Sequence, residues 1–167
     1  MRIALYHNLL SGGAKRSLFE YARRLAGEHQ LDVFSLTSAE HGFGDVRPLA
    51  SRHEVLPFRP LPLLQPPLGR LNQFIRLFDL IRLRAVGRTV AHRIDQGGYD
   101  VALIEPCRIE NSPSVLRFLR RTPSVFYCHE PLRLLYEASP PRLHIEPPSS
   151  IRRNLDRIDP LPKLYRV

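Results

Sequence analysis

The sequence contains few cysteines and no long apolar run. Its 167 residues include only Cys107 and Cys128, too few for a disulfide framework, and we interpret both as buried thiols because each follows an apolar, strand-like run. No stretch approaches the ~18 apolar residues of a membrane-spanning helix. The apolar start of the chain is also too short for a signal-peptide core. We therefore expect a cytoplasmic protein.

Several common nucleotide-binding and metal-binding motifs are also missing. A dinucleotide-binding fold needs GxGxxG and an acidic residue after the second strand, but the sequence has SGGAKRS and then Ser35, Leu36, Thr37 and Ser38. A P-loop places its lysine differently from Lys15, and the YHN of residues 6–8 lacks the carboxylates of a phospho-receiver domain. No CxxC or HxxxH spacing occurs, so we predict no metal site.

Lysine is almost absent, whereas arginine is abundant. Only Lys15 and Lys163 are lysines, yet the net charge is +9. Such a surface favours an anionic partner: phosphate, acidic lipid or nucleic acid. Genomic base composition is an alternative source of the arginine excess. Nucleic acid ranks last, because no basic patch is interleaved with aromatic residues on a strand platform.

Alternating strands and helices are the main feature that the sequence does have. Short apolar segments predict strands, and apolar residues at helical spacing predict the helices between them. The pattern predicts a single α/β domain, a doubly wound, Rossmann-like parallel sheet with right-handed crossovers. The predicted strands cover residues 2–6, 30–37, 53–58, 99–105 and 124–128, and the predicted helices cover residues 14–29, 70–96 and 113–121.

Two proline-rich segments interrupt this alternation. Residues 59–69 are predicted to be extended and apolar. We assign residues 1–137 to the Rossmann-like domain. Residues 138–167 are predicted to be a proline-rich loop and a short helix that lead towards a second domain absent from this sequence.

The predicted helix at residues 70–96 is apolar and rich in arginine. We expect its main apolar stripe to pack on the sheet, with the arginines on the wet face. The rest of the helix could lie on an anionic membrane surface, which would make the protein peripheral on the inner face of the membrane. The stripe consists of Leu71, Phe74, Ile75, Phe78, Ile81 and Ala85.

Ligands of open α/β sheets bind beyond the carboxyl ends of the strands. After the first strand, Gly12 and Gly13 precede a helix, and Lys15 and Arg16 occupy its first turn. Exposed backbone N–H groups and the helix dipole at such a point attract phosphate oxygens. We interpret these residues as a diphosphate or acceptor-phosphate cradle; the alternative is a tight turn that needs a positive φ.

A histidine follows the last predicted strand. His129 precedes Glu130 and Pro131, and the proline restricts Glu130 to an extended conformation. A histidine at this place can hydrogen-bond a substrate hydroxyl or phosphate, or move a proton. The alternative is a structural histidine that satisfies a loop carbonyl.

Three segments, taken in order, resemble the N-terminal, acceptor-side domain of family 4 glycosyltransferases, which have the GT-B fold. They are MRIALYHNLLSGGAKRSLFEYARRLAGEHQLDVFSL, YDVALIEPCRIENSPSVLRFL and SVFYCHEP, within residues 1–137. The resemblance implies that Gly12 and Gly13 face the donor diphosphate and the acceptor, and that His129 lies near the transferred sugar as the catalytic residue. Acceptor-side candidates are Asn8, Glu105, Arg108 and Glu130.

The resemblance also implies what the chain would work with. A nucleotide-sugar would be the donor substrate, with no cofactor and no bound metal, and a glycan or lipid-linked molecule would be the acceptor. The anomeric configuration would be retained. The family's second domain, which binds the nucleotide and stabilises the leaving diphosphate, does not follow in this sequence. We expect no normal turnover without that C-terminal domain or a partner chain. The alternative is a non-catalytic half-domain that docks with a separate nucleotide-binding chain.

Overall fold

The computed structural model describes residues 1–66 and 68–129. Short 3₁₀ turns cover Arg47–Leu49 and Leu68–Leu71. The strands are β1 (Arg2–Asn8), β2 (Gln30–Leu36), β3 (Arg52–Leu56), β4 (Val101–Cys107) and β5 (Ser124–Phe126). The helices are α1 (Gly13–Glu28), α2 (Asn72–Gln96) and α3 (Val115–Phe118).

The five strands form one parallel sheet in the order β3-β2-β1-β4-β5. At its centre, Leu5 of β1 is in register with Val33 of β2 and with Leu103 of β4. The strand order reverses its direction at β1, which creates a topological switch point between β1 and β4. The predicted α/β class and parallel sheet are confirmed. All five strands therefore end at the same edge of the sheet.

The two faces of the sheet have separate apolar cores. On one face, Ile3 and Leu5 pack with Leu18 and Ala22 of α1. On the other, residues of β1, β2 and β4 pack with α2. Because side chains alternate along a strand, odd-numbered residues of β1 face α1 and even-numbered residues face α2. This alternation decides which polar side chains meet at the carboxyl edge.

The chain divides into two compact units. The sheet and its flanking helical segments lie in the first unit, which includes Met1–Pro60 and continues from Leu80. The described part of the second unit is Leu61–Asp79, apart from residue 67. Helix α2 begins in the second unit and ends in the first.

The prediction for the apolar stripe of α2 was wrong. Phe74, Phe78 and Ile81 are 56%, 53% and 57% exposed, whereas Leu83, Val90, Ala91 and Ile94 are buried in the α2-side core. At 100° per residue these two sets lie on opposite sides of the helix. Both sides are apolar, so periodicity alone could not decide which one faces the sheet.

Helix α3 is shorter than predicted. The pattern suggested a helix over residues 113–121, but α3 is a single turn that ends at Phe118. The carboxylate of Glu110 accepts the backbone N–H of Ser114 just before α3. After it, the carboxylate of Asp95 accepts the N–H groups of residues 120–122 at 2.8 to 3.1 Å. Because these donors are bound to Asp95, they do not continue the helix.

Candidate functional site

Three neighbouring strands each place one polar side chain on the α1 face near the carboxyl edge of the sheet. The alternation that points Leu5, Val33 and Leu103 towards α1 also points the residues two positions later in each strand that way. A line of polar groups therefore borders the edge where ligands of such sheets bind. These residues are His7 in β1, Ser35 in β2 and Glu105 in β4.

Glu105 is the centre of a buried hydrogen-bonded cluster. Its side chain is fully buried, and its Oε2 lies 2.6 Å from His129 Nε2. The hydroxyl of Tyr21, from α1, donates to Oε1 of the same carboxylate. Burial raises the pKa of Glu105 above its usual range, while the hydrogen bonds from Tyr21 and His129 act in the opposite direction. Burial and then the charge of Glu105 raise the pKa of Tyr21, so the phenol stays a donor.

This contact orients the ring of His129. When Nε2 carries the proton that Glu105 accepts, Nδ1 is left as a hydrogen-bond acceptor. The side chain of His129 is 18% exposed, so the ring is only partly covered. Tyr127 packs against the ring in an edge-to-face arrangement, with 4.5 Å between the ring centroids. The arrangement is that of a histidine held in one tautomer by a carboxylate, which can accept a proton from a hydroxyl.

Lys15 takes a different position from the one that its place in the sequence suggested. It was predicted to add charge beside the glycines, but its side chain is fully buried, and Nζ lies 3.4 Å from Nε2 of His7. Burial lowers the pKa of Lys15 to about 8, although Asp45 and Glu40 act in the opposite direction. Burial and then the charge of Lys15 hold the pKa of His7 well below its usual value.

Two further histidines, His41 and His53, lie beside the Lys15–His7 contact. The ring centroid of His41 lies 6.1 Å from that of His7 and 5.7 Å from that of His53. Nε2 of His53 is 2.8 Å from the hydroxyl of Ser35. Burial lowers the pKa of both His41 and His53, with smaller contributions from nearby positive side chains and, for His53, from His41. Both rings are therefore harder to protonate than a histidine in water.

The paired glycines lie at the exposed beginning of α1. Gly12 has φ 154°, which L side chains rarely adopt, and a Cβ added at Gly12 or Gly13 would meet no atom within 4 Å. No side chain caps α1 in the part of the chain that the structure describes, and its first turn contains no acidic residue. Exposed Arg16 lines a cavity of about 380 Å³ together with two phenylalanines and the acidic Asp45. The backbone N–H groups at the start of α1 are open to an anion, with the positive end of the helix dipole beside them.

The remaining predicted residues have differing positions. Asn8 is fully buried, donates to Cys107 Sγ at 3.0 Å and accepts from the Ser38 hydroxyl at 2.8 Å. It therefore joins β1 to its neighbours rather than facing a ligand. Arg108 is exposed, and its backbone N–H donates to Asn8 O at 3.2 Å. Glu130 lies outside the described residues.

The two cysteines do not share one environment. Cys107 is buried as predicted, and burial raises the pKa of its thiol. Cys128 is exposed, so the prediction of a second buried thiol was wrong. It follows β5 at the edge of the sheet, where no further described strand covers it.

Residues 1–66 and 68–129 contain no group of three or more histidine, cysteine, aspartate or glutamate side chains arranged to hold a metal ion. Within the same residues, none of the helices combines the length and apolarity needed to cross a bilayer.

No protein-family model matches the chain, and no curated protein matches it. Among solved structures, the chain is similar to CalG4, the calicheamicin glycosyltransferase, with 16% sequence identity and a TM-score of 0.42. The match covers 75% of this chain and 32% of that one, so the chain spans about a third of the length of CalG4. The fold class rests on the order and directions of the strands.

Proposed function

We propose that the chain is the acceptor-side half of a two-domain, GT-B-type glycosyltransferase that uses a nucleotide-sugar donor. The observation that carries the proposal is the meeting of two features at one sheet edge. Glu105 lies near the end of β4 and its partner His129 follows β5, while the uncapped helix start at Gly12 and Gly13 follows β1. One feature suits a hydroxyl group, and the other suits a phosphate group. A sugar nucleotide and its acceptor present both.

His129 accepts a hydrogen bond from a substrate hydroxyl at Nδ1 in this proposal. Glu105 holds the opposite nitrogen, and Tyr21 holds the other oxygen of that carboxylate. The buried carboxylate also stabilises positive charge on the imidazole if the proton moves to it. Tyr21 and Glu105 therefore position His129 without contacting the substrate themselves.

The start of α1 holds phosphate oxygens through its backbone N–H groups. Arg16 supplies a mobile positive charge from the surface of the first turn, while buried Lys15 contributes to the local potential from beneath. The space above Gly13 leaves room for a ligand to approach the backbone closely. We propose the nucleoside diphosphate of the donor, or a phosphate of the acceptor, as the group bound here.

A charge substitution tests this phosphate site. Gly13→Asp places a carboxylate in the first turn of α1, where the dipole stabilises it by roughly 0.3–1 kcal/mol. We expect the variant to fold as well as the parent chain, yet to bind inorganic pyrophosphate and UDP-sugars at least tenfold more weakly. Gly27→Asp is the matched control, because Gly27 is equally open but lies near the other end of α1. Binding is measured by NMR titration of the ¹⁵N-labelled chain.

The same titration tests the combined site. The proposal requires that a UDP-sugar or its acceptor shift the amide signals of Gly12 and Gly13 together with the ring signals of His129. A ligand that shifts only residues at the amino ends of the strands, such as Arg2 and Arg52, would contradict it. Equal pyrophosphate affinity in the two aspartate variants would remove the helix start from the site.

A further inference from the structure

Residues 40–45 form a short loop between two buried anchors. Ala39, which precedes the loop, is 9% exposed, and Val46, which follows it, is fully buried in the α1-side core. At the start of the loop, the Glu40 N–H donates to the Leu9 carbonyl at 3.0 Å. Because both ends are anchored, the 40–45 loop is a unit that can move while the sheet and α1 stay in place.

Two residues hold the 40–45 loop against α1 and the sheet. Gly44 has φ 57°, and a Cβ added there would lie 3.2 Å from the Lys15 carbonyl oxygen. The ring of His41 meets the rings of His7 and His53 edge-to-face. Among residues 1–66 and 68–129, neither buried ring nitrogen of His41 has a hydrogen-bond partner. The closed loop therefore keeps a polar ring where it neither donates nor accepts.

The surroundings of His41 oppose its protonation. Burial lowers its pKa most, and the charges of Lys15 on α1 and of Arg47 after the loop lower it further, while Asp45 and Glu40 act in the opposite direction. The Asp45 carboxylate is already bound by the Arg47 guanidinium at 2.8 to 3.0 Å, and Glu40 is exposed. A proton on His41 therefore adds a positive charge near a positive lysine, inside a cluster that offers it no described acceptor.

His7 in β1 and His53 in β3 respond in the same way. Burial is the largest cause of the lowered pKa of each ring, and positive charge on Lys15 and His41 lowers both further, while Asp45 acts in the opposite direction. Water that enters when the loop leaves removes the cost of burial. All three rings therefore bind a proton more readily when the loop is open.

We propose that the 40–45 loop is a pH-sensitive cover, closed while these three histidines are neutral and open when they are protonated. A hydrated imidazole has a pKa of about 6.5, so below that pH the open state binds more protons than the closed state. Each proton taken up raises the opening constant by up to about tenfold per pH unit. Lys15, with a pKa of about 8, stays charged throughout this range and favours opening.

Opening of the loop changes the surface beside the start of α1. Phe43, Gly44 and Asp45 form one wall of the cavity that Arg16 lines, so the cavity loses this wall when the loop leaves. The inference does not depend on the proposed transferase activity, because loop opening is measured without any substrate.

A single tryptophan can report the opening, since the 167-residue chain contains none. Phe43→Trp places the fluorophore in the middle of the loop, where Phe43 is 45% exposed and lines the cavity. We expect acrylamide quenching of its emission to increase at least about twofold as the pH falls from roughly 7.5 to 5. Far-UV circular dichroism should stay unchanged over the same range, because the sheet remains folded.

Substitutions in the Phe43→Trp background identify the groups that bind the protons. His41→Phe keeps a ring but cannot be protonated, so we expect its quenching to stay near the value at neutral pH. His92→Phe is the matched control, because it removes an exposed histidine of α2 and should leave the increase unchanged. Lys15→Met removes the neighbouring positive charge and should move the increase to lower pH.

Three results would overturn the proposal. The first is quenching that does not change with pH in the Phe43→Trp chain. The second is a His41→Phe variant whose quenching increases as much as that of the background. The third is a loss of circular dichroism that accompanies the quenching, since it would show unfolding of the whole sheet instead of opening of the loop.

Discussion

The buried ammonium group of Lys15 lowers the stability of the fold when it is charged. Its ammonium is buried against the ring of His7, and burial lowers its pKa from 10.5 to about 8. Below pH 8 the amine is charged in both the folded and the unfolded chain, so the folded state bears the full cost of burying that charge. Between pH 8 and 10.5 the unfolded chain binds more protons, so stability rises with pH.

Lys15→Met should remove this pH dependence. We expect the free energy of unfolding of the parent chain to rise with pH above 8, relative to the variant, with a slope that approaches about 1.4 kcal/mol per pH unit. At pH 7 the variant should be the more stable protein. Urea denaturation at half-unit intervals from pH 7 to 9.5 measures the difference. Arg16→Met should behave as the parent does, because Arg16 is exposed. Parallel pH profiles for parent and Lys15→Met would contradict the argument.

Only some residues of the candidate site could be predicted from the sequence. His129, Glu105, Gly12 and Gly13 could be selected because they lie at, or follow, the carboxyl ends of strands in a predictable parallel sheet. The partner role of Tyr21 could not be predicted, since its spacing in α1 fits an apolar stripe and its hydroxyl contact depends on tertiary packing. Strand alternation alone would have identified His7 as facing α1.

At the scale of elements, the strands were more predictable than the helix faces. Each predicted strand overlaps an observed one, because short β-prone segments between turns are distinctive. Helix α2 was predicted over nearly its observed length, but its sheet-facing side was not. The helix has two apolar sides, and the buried one is the side that packs closely on the sheet and α3.

Gly87 lies on the side of α2 that packs closely against the beginning of α3. It is buried, and a Cβ added there would meet the side chain of Ser114 and lie 3.2 Å from the backbone nitrogen of Val115. The Ser114 side chain can rotate away, but the backbone of α3 must move. A larger side chain at Gly87 therefore separates α2 from α3.

We expect Gly87→Val to lower the free energy of unfolding by about 2 kcal/mol, within the range for overpacked sites. Ala85→Val is the control on the same helix. Ala85 is exposed, so only the modest helix propensity cost of roughly 0.6 kcal/mol should be seen. Urea denaturation of both variants measures the difference. Equal losses would show that α2 and α3 do not need the glycine for close packing.

At the scale of the whole molecule, two described surfaces offer different chemistry. The carboxyl edge of the sheet collects buried polar groups and an open helix start, which suit a polar, anionic substrate. The described part of the Leu61–Asp79 segment exposes large apolar side chains, Phe74 and Phe78 among them. The apolar stripe of α2 was predicted to pack on the sheet because sequence periodicity does not distinguish the apolar side of a helix that meets the sheet from an apolar side that is exposed.

The proposed division of labour between two domains predicts the activity of the chain by itself. In that proposal His129 binds a hydroxyl group and the start of α1 binds phosphate, but a departing nucleoside diphosphate needs further positive groups around its developing charge. We expect the 167-residue chain to give no sustained sugar transfer alone. Transfer should appear when a nucleotide-binding GT-B half is supplied as a fusion or a second chain, with product formation followed by mass spectrometry.

In that reconstituted enzyme, His129→Gln should lower kcat by about 10²- to 10⁴-fold, the usual contribution of a positioned acid or base. His92→Gln is the matched control, because His92 is an exposed histidine on α2. Proton NMR of the product adds a second readout. Direct displacement with His129 as base inverts the anomeric centre, whereas a histidine that only holds a hydroxyl is compatible with retention. Efficient transfer by the isolated chain, or an unaffected His129→Gln enzyme, would contradict the proposed roles.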